Sequence, residues 1–209
     1  MKKYSVFLIV LLIIPSVCYS GLKNKRLSLF LGVNHVFEYG AEEDYVLGEN
    51  DFPVTPAHTP PLIGASFSNG FGEYFGLEVE SLFILGSRFT IEDPSDGDTV
   101  EVLSDSRLSL SLNVFFRKQW GQFCPYLIVG GGLDKLLAKE EKMTSAYGYE
   151  ITFEVPERTF DPFVQFGGGV EYLLSDSMGM KLNVRYVLIF DELENVGGMN
   201  ISLGFFFIL

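Results

Sequence analysis

Leu108, Leu110, Leu112, Val114 and Phe116 alternate strictly with Ser109, Ser111, Asn113 and Phe115. The same period of two runs through Met180, Leu182, Val184, Tyr186 and Leu188, which alternate with Lys181, Asn183, Arg185 and Val187. In Leu27–Asn34 one parity is Leu, Leu, Leu, Val and the other is Ser, Phe, Gly, Asn. A helix would scatter these apolar side chains around its surface, whereas a strand gathers them on one face. The chain is therefore read as all-β.

About eight such segments follow one another, at roughly 27–38, 61–69, 74–87, 106–117, 123–135, 160–174, 179–190 and 198–209. Each is near the length a tilted strand needs to cross a bilayer. Their connections alternate in length. Three are short, around Asn69–Glu73, Lys118–Gln122 and Ser175–Met178, and they carry Gly or Ser-Asp-Ser. The others, 39–60, 88–105, 136–159 and 191–197, are longer and read as loops. The first two of these are acidic, with Glu42, Glu43, Asp44, Glu49 and Asp51, then Glu92, Asp93, Asp96, Asp98 and Glu101. Alternating turns and loops predict a closed antiparallel transmembrane β-barrel of about eight strands, with short periplasmic turns and long outer loops.

A soluble barrel also alternates, but its outer parity carries Lys, Glu and Thr. Here the polar parity is small: Ser28, Gly32, Gly64, Ser66, Ser68, Gly76, Ser109, Ser111, Gly130, Gly132, Gly167, Gly169, Ser202 and Gly204. A narrow lumen needs such residues to leave room for a few long ones. The long ones on that parity, Glu78, Glu80, Gln165, Glu171, Lys181, Arg185 and Asn34, are complementary in charge. A charge in a dry lumen must be paired. Lys181 and Arg185 are therefore expected to meet Glu78, Glu80 and Glu171 inside. Tyr74, Phe75, Phe116, Trp120, Phe123 and Tyr126 cluster beside the short turns, and Tyr39, Phe89 and Phe190 near the long loops, as two interfacial girdles would require.

The first twenty residues read as a secretory signal. Lys2 and Lys3 precede an apolar run from Val6 to Ile14, with small residues up to an expected cleavage near Ser20. The expected domains are thus 1–20, signal peptide, and 21–209, barrel. Removing 1–20 takes two lysines and leaves 13 basic against 27 acidic residues, a formal charge of −14. Nucleic acid is excluded as a partner, because phosphate repels such a chain. Only Cys124 then remains, so no internal disulfide is possible.

Pro125-Tyr126-Leu127-Ile128-Val129-Gly130-Gly131-Gly132, Phe166-Gly167-Gly168-Gly169-Val170-Glu171-Tyr172, Leu182-Asn183-Val184-Arg185-Tyr186 and Gly204–Leu209 resemble the OmpA/OmpX-like family of small outer-membrane barrels. The last strand, with Leu203, Phe205, Phe207 and Leu209 on one face, would be an aggregation-prone edge in a soluble protein. Its Ser202-x-Gly204-x-x-Phe207-x-Leu209 pattern resembles the β-signal read by the outer-membrane assembly machinery, although the commonest form ends in Phe. The resemblance spans nearly all of the mature chain. It implies residence in the outer membrane of a diderm bacterium, with membrane lipid, lipopolysaccharide and the assembly machinery as partners. It implies no single molecular task.

Motifs that could carry chemistry read as structure. The Gly130–Gly132 and Gly167–Gly169 triplets lie in alternating strands, with no helix behind them to bind phosphate. Asp93-Pro94-Ser95-Asp96-Gly97-Asp98 lacks the full spacing of a calcium loop and reads as a solvated turn, though divalent ions bridging the acidic loops to lipopolysaccharide are a further possibility. His35 and His58 have no adjacent nucleophile pattern, and Cys124 reads as packing. No cofactor, metal or catalytic site is expected. The function expected is non-enzymatic, an envelope or adhesion-type role with a host or surface protein met through the acidic loops. The alternatives are a narrow porin-like channel or a lipid A-modifying enzyme.

Overall fold

A computed structural model describes residues 25–37, 57–92, 99–104, 106–137, 140–144, 150–154, 160–190 and 195–209. The signal segment 1–20, the acids at 42–51 and the turn at 93–98 lie outside them. So does Tyr39; of Phe89 only the backbone is described.

Eight strands close into an antiparallel barrel: β1 (Lys25–Val36), β2 (Pro61–Phe71), β3 (Phe75–Ile84), β6 (Arg107–Arg117), β7 (Phe123–Leu136), β10 (Asp161–Leu173), β11 (Met178–Phe190) and β12 (Asn195–Ile208). Around the ring the order is β1-β12-β11-β10-β7-β6-β3-β2. Closure comes from the first and last strands, in a register running from Arg26 opposite Ile208 to Val36 opposite Gly198. Full closure pairs every strand edge, which is the condition for a sheet to cross hydrocarbon.

The expected strands are present within a few residues of their sequence-derived limits, with two differences. The 88–105 and 136–159 connections are not simply loops. They carry β4 (Ser87–Glu92), β5 (Thr99–Ser104), β8 (Glu140–Thr144) and β9 (Glu150–Glu154). These form a second sheet in the order β4-β5-β8-β9, joined across its middle at Glu101 and Thr144. Each hairpin prolongs a barrel hairpin beyond the wall. Val100, Val102, Ile151 and Phe153 supply the β propensity there, and Glu101, Glu150 and Glu154 beside them mask it in the sequence.

The opposite end is tight. Trp120 and Phe123 exchange backbone hydrogen bonds of 2.6 and 3.1 Å around a two-residue loop. Gly121 sits at φ 62°, the left-handed conformation such a hairpin loop demands. Gly72, in the β2–β3 turn, has φ 70°.

Side chains are distributed inside out relative to a soluble protein. Leu31, Leu110, Leu127 and Phe166 are 64%, 57%, 66% and 58% exposed on the outer wall, whereas Glu78 and Gln165 are 1% exposed in the lumen. An apolar belt right around a molecule has no stable state in water, but it matches the hydrocarbon core of a bilayer.

Candidate functional site: the barrel lumen

The lumen is filled by side chains that reach across it. Strands β3 and β11 lie four places apart in the ring of eight and so face each other across the full diameter. From β11, Arg185 donates to Glu80 at 2.5 Å and to Glu78 at 2.8 Å. Lys181 reaches the other Glu78 oxygen at 2.5 Å. Ser66 adds a hydroxyl to that oxygen at 3.2 Å. Alternation along β3 and β11 brings these four charges together. Glu78 and Glu80 are two residues apart and therefore co-facial, and Lys181 and Arg185 are four apart on the facing wall. All four are 3% exposed or less. Ionised groups so deeply buried persist only when paired and hydrogen bonded, as these are.

Glu171 departs from the expected grouping. It sits opposite Lys181 in the β10–β11 register, yet its carboxylate accepts from Arg26 on β1. The Arg26 guanidinium also lies 4.8 Å from the Phe206 ring centroid. Lys181 is drawn to the far wall, where Glu78 already faces Arg185. Sequence reasoning missed Arg26 because β1 was started at Leu27, one residue too late to give Arg26 an inward parity. It also missed Asp134, which accepts from Arg107 Nε at 2.7 Å and from the Ser109 hydroxyl.

Between these charges lies a neutral polar layer. Gln165 donates to Ser111 at 3.0 Å and to Asn113 at 2.8 Å. Asn183 donates to Ser202 at 3.1 Å and accepts from the Tyr126 hydroxyl. Asn34 donates to Asn200 at 2.6 Å. Tyr126 thus corrects the sequence reading, which put it in an interfacial girdle. Its neighbour Cys124 is inward, so Tyr126, two residues on, points into the lumen as well.

Towards the long-loop end the lumen turns apolar. Phe30, Leu62, Leu82 and Ile84 form one cluster, and Phe163, Val187 and Ile189 form a second, with Val196 packed against it. These residues occupy the parity that the sequence reading filled with small polar groups. Gly64 makes room for the first cluster: a Cβ there would fall on the Phe30 ring and the Leu82 side chain.

The remaining sequence candidates are placed as follows. Ser202 and Gly204 face inward on β12, and Phe207 and Leu209 face outward, 40% and 52% exposed. Leu209 N–H bonds to the Lys25 carbonyl at 3.0 Å. The glycine triplets lie within β7 and β10. His35 is on the outward parity of β1, with Nδ1 2.9 Å from the Thr59 hydroxyl and its ring edge-on to Phe37. No group of metal-ligating side chains occurs among the described residues. Exposed rings mark the short-turn end, where Tyr74 and Phe75 pack on Phe116 at 5.9 and 5.2 Å and Phe123 on Tyr172 at 4.9 Å.

No family model and no curated protein matches this sequence. Solved structures do match in fold. Neisserial surface protein A (NspA) superposes with a TM-score of 0.55 at 9% identity, over 88% of this chain and 97% of that one. The outer membrane protein OprG from Pseudomonas aeruginosa gives 0.54 at 14% identity, over 88% and 96%. The N-terminal β-barrel domain of Pseudomonas aeruginosa OprF gives 0.51 at 12% identity, over 88% and 97%. These likenesses concern the fold, and the inverted placement of polar and apolar residues supplies the physical reason for it. By architecture and by the chemistry of its two faces, this chain is a small transmembrane β-barrel of the outer-membrane type.

Proposed function

We propose that the protein is a non-enzymatic outer-membrane barrel with a plugged lumen, acting at the cell surface through the structures at its long-loop end. The observation that carries this reading is the filling of the lumen: Arg185 and Lys181 bridge its diameter to Glu78 and Glu80, and apolar clusters occupy the space beyond. A wall with no open path leaves the projecting hairpins β4–β5 and β8–β9, together with the acidic connections, as the parts able to meet a partner. The chemistry of those connections suits a cationic patch on a host or surface protein, or lipopolysaccharide bridged by divalent cations. Ser202, Gly204, Phe207 and Leu209 are proposed as the segment the assembly machinery reads.

Single-channel recording on refolded protein tests the plug. Long silent baselines are expected, and a steady open conductance would favour the narrow-channel alternative. The enzymatic alternative rests on His35 and its contact with Thr59. Mass spectrometry of lipid A from cells with and without the protein is expected to show no difference. A change that His35→Ala abolished would make it a lipid A-modifying enzyme.

A further inference from the structure

The short-turn half of the lumen does not balance its charge. Among the described residues, the buried cations there are Arg26, Arg117, Lys181 and Arg185, and the buried carboxylates are Glu78, Glu80 and Glu171. All three carboxylates are engaged, Glu171 by Arg26, Glu80 by Arg185, and Glu78 by Lys181 and Arg185. Arg117 is the cation left over. It is 7% exposed, and its guanidinium rests on the Phe115 ring with the centroid 5.2 Å away, but no described carboxylate pairs with it. An aromatic face offsets only part of the cost of burying a full charge.

Beside Arg117 is a small cavity with room for about one water-sized body. Lys181 and Ser68 also line it, as do Glu78 and Glu171. The acids already accept from other cations. Arg117 and the Ser68 hydroxyl have no such commitment among the described side chains. The wall itself carries two cations and two carboxylates, but both carboxylates are taken up by Arg26, Lys181 and Arg185. The uncommitted donors are therefore Arg117 and Ser68, and the excess positive charge of this half of the lumen falls on Arg117. We propose that this cavity is a binding site for a small inorganic monoanion of halide size, held by Arg117, Lys181 and Ser68. Phosphate, sulfate and lipid headgroups are too large for it. A halide is somewhat bigger than water, and the flexible ends of Arg117 and Lys181 are the parts of the wall that adjust. Such an ion would complete the charge balance of the lumen and tie β2, β6 and β11 together.

Refolded full-length protein in detergent micelles, unfolded by urea in sodium chloride, bromide or gluconate at equal ionic strength, tests this. At a halide concentration ten times the Kd, the unfolding equilibrium constant should fall about tenfold relative to gluconate. Arg117→Gln should erase the difference. Lys118→Gln, at the same end but outside the cavity, should keep it. Identical unfolding in all three salts overturns the proposal. Should Arg117→Gln fail to refold, crystals of the unaltered protein grown in bromide decide. An anomalous peak beside Arg117 supports the site, and an ordered water in its place overturns it.

Discussion

The two halves of the lumen solve the same problem by different means. Both must fill a narrow tube without leaving an unpaired polar group or a void. The short-turn half does it with long charged side chains that cross to the opposite wall, Arg185 and Lys181 to Glu78 and Glu80. The long-loop half does it chiefly with Phe30, Leu62, Leu82, Ile84, Phe163, Val187 and Ile189, which meet by contact alone beside one ion pair, Arg107 to Asp134. The charged half is directional and intolerant of losing one member. The apolar half is non-directional and fails in proportion to the volume removed. The contrast also bears on the proposed plug, because each half fills the tube by its own means.

The largest effect is expected from breaking the charged half on one side only. Arg185→Met strands Glu78 and Glu80 beside each other with Lys181 as the one remaining cation. It should cost about 3–5 kcal/mol, read as a lower urea midpoint of the refolded barrel. Replacing Glu80 by Gln in the same background should restore part of that loss, because one uncompensated charge disappears. No restoration would mean that Arg185 acts by packing rather than by charge. Neither variant should open a steady conductance, since the apolar layers still close the tube.

Leu110 lies on the outer wall between Ser81 and Leu133. Leu110→Arg puts a charge against hydrocarbon and should cost about 2–4 kcal/mol if that depth is the bilayer centre. The same substitution on a water-facing wall would cost almost nothing. The measurement thus separates a lipid-covered face from a solvated one without any channel assay.

An intermediate effect is expected at Gly169. A Cβ there would land on the Leu182 carbonyl oxygen and the Tyr126 hydroxyl, backbone on one side and a committed side chain on the other. Gly169→Ala should cost about 1–3 kcal/mol through forced displacement. Gly72→Ala, with nothing within 4 Å of its Cβ, carries only the strain of its φ of 70° and should cost less.

Much of this architecture is legible in the sequence because a barrel wall is a repeated two-residue rule. Leu108 to Phe116 states the rule, and the strand β6 obeys it. The lumen was legible only in part. Parity put Glu78, Glu80, Glu171, Lys181 and Arg185 inside, but parity does not say how strands are ordered around a ring or which wall faces which. That is why Glu171 was matched with Arg185 when Arg26 is its partner. Leu82 and Ile84 share the inward parity of Glu78 and Glu80, but an apolar residue there does not show from composition that it fills the lumen, so the apolar plug was hidden. The projecting strands β4, β5, β8 and β9 were hidden for another reason. Glu92, Asp93, Asp96, Asp98 and Glu101 dominate the β4–β5 segment, and Glu140, Glu141, Glu150 and Glu154 sit near the ends of β8 and β9, so at that length composition outweighs the weak alternation of Val100 to Leu103.

The smallest effect is expected at Tyr126, in the short-turn half, where the two modes of filling meet in one side chain. Tyr126 packs with Phe115 and Ile128 while giving its hydroxyl proton to Asn183. Lys181 Nζ lies 5.1 Å from the centre of its ring. Its ring therefore serves the apolar filling and its hydroxyl serves the polar one. Tyr126→Phe keeps the volume and the cation–π face and removes only the hydrogen bond. Asn183 still donates to Ser202, so the loss should be about 1 kcal/mol. Tyr126→Leu removes the ring face as well and should cost more. If the two variants unfold at the same urea concentration, the ring adds nothing and the hydroxyl carries the whole contribution. If Tyr126→Phe is silent and Tyr126→Leu is not, the junction is held by packing, and the apolar mode of filling extends further towards the short turns than the charged strut of Lys181 and Glu78 indicates.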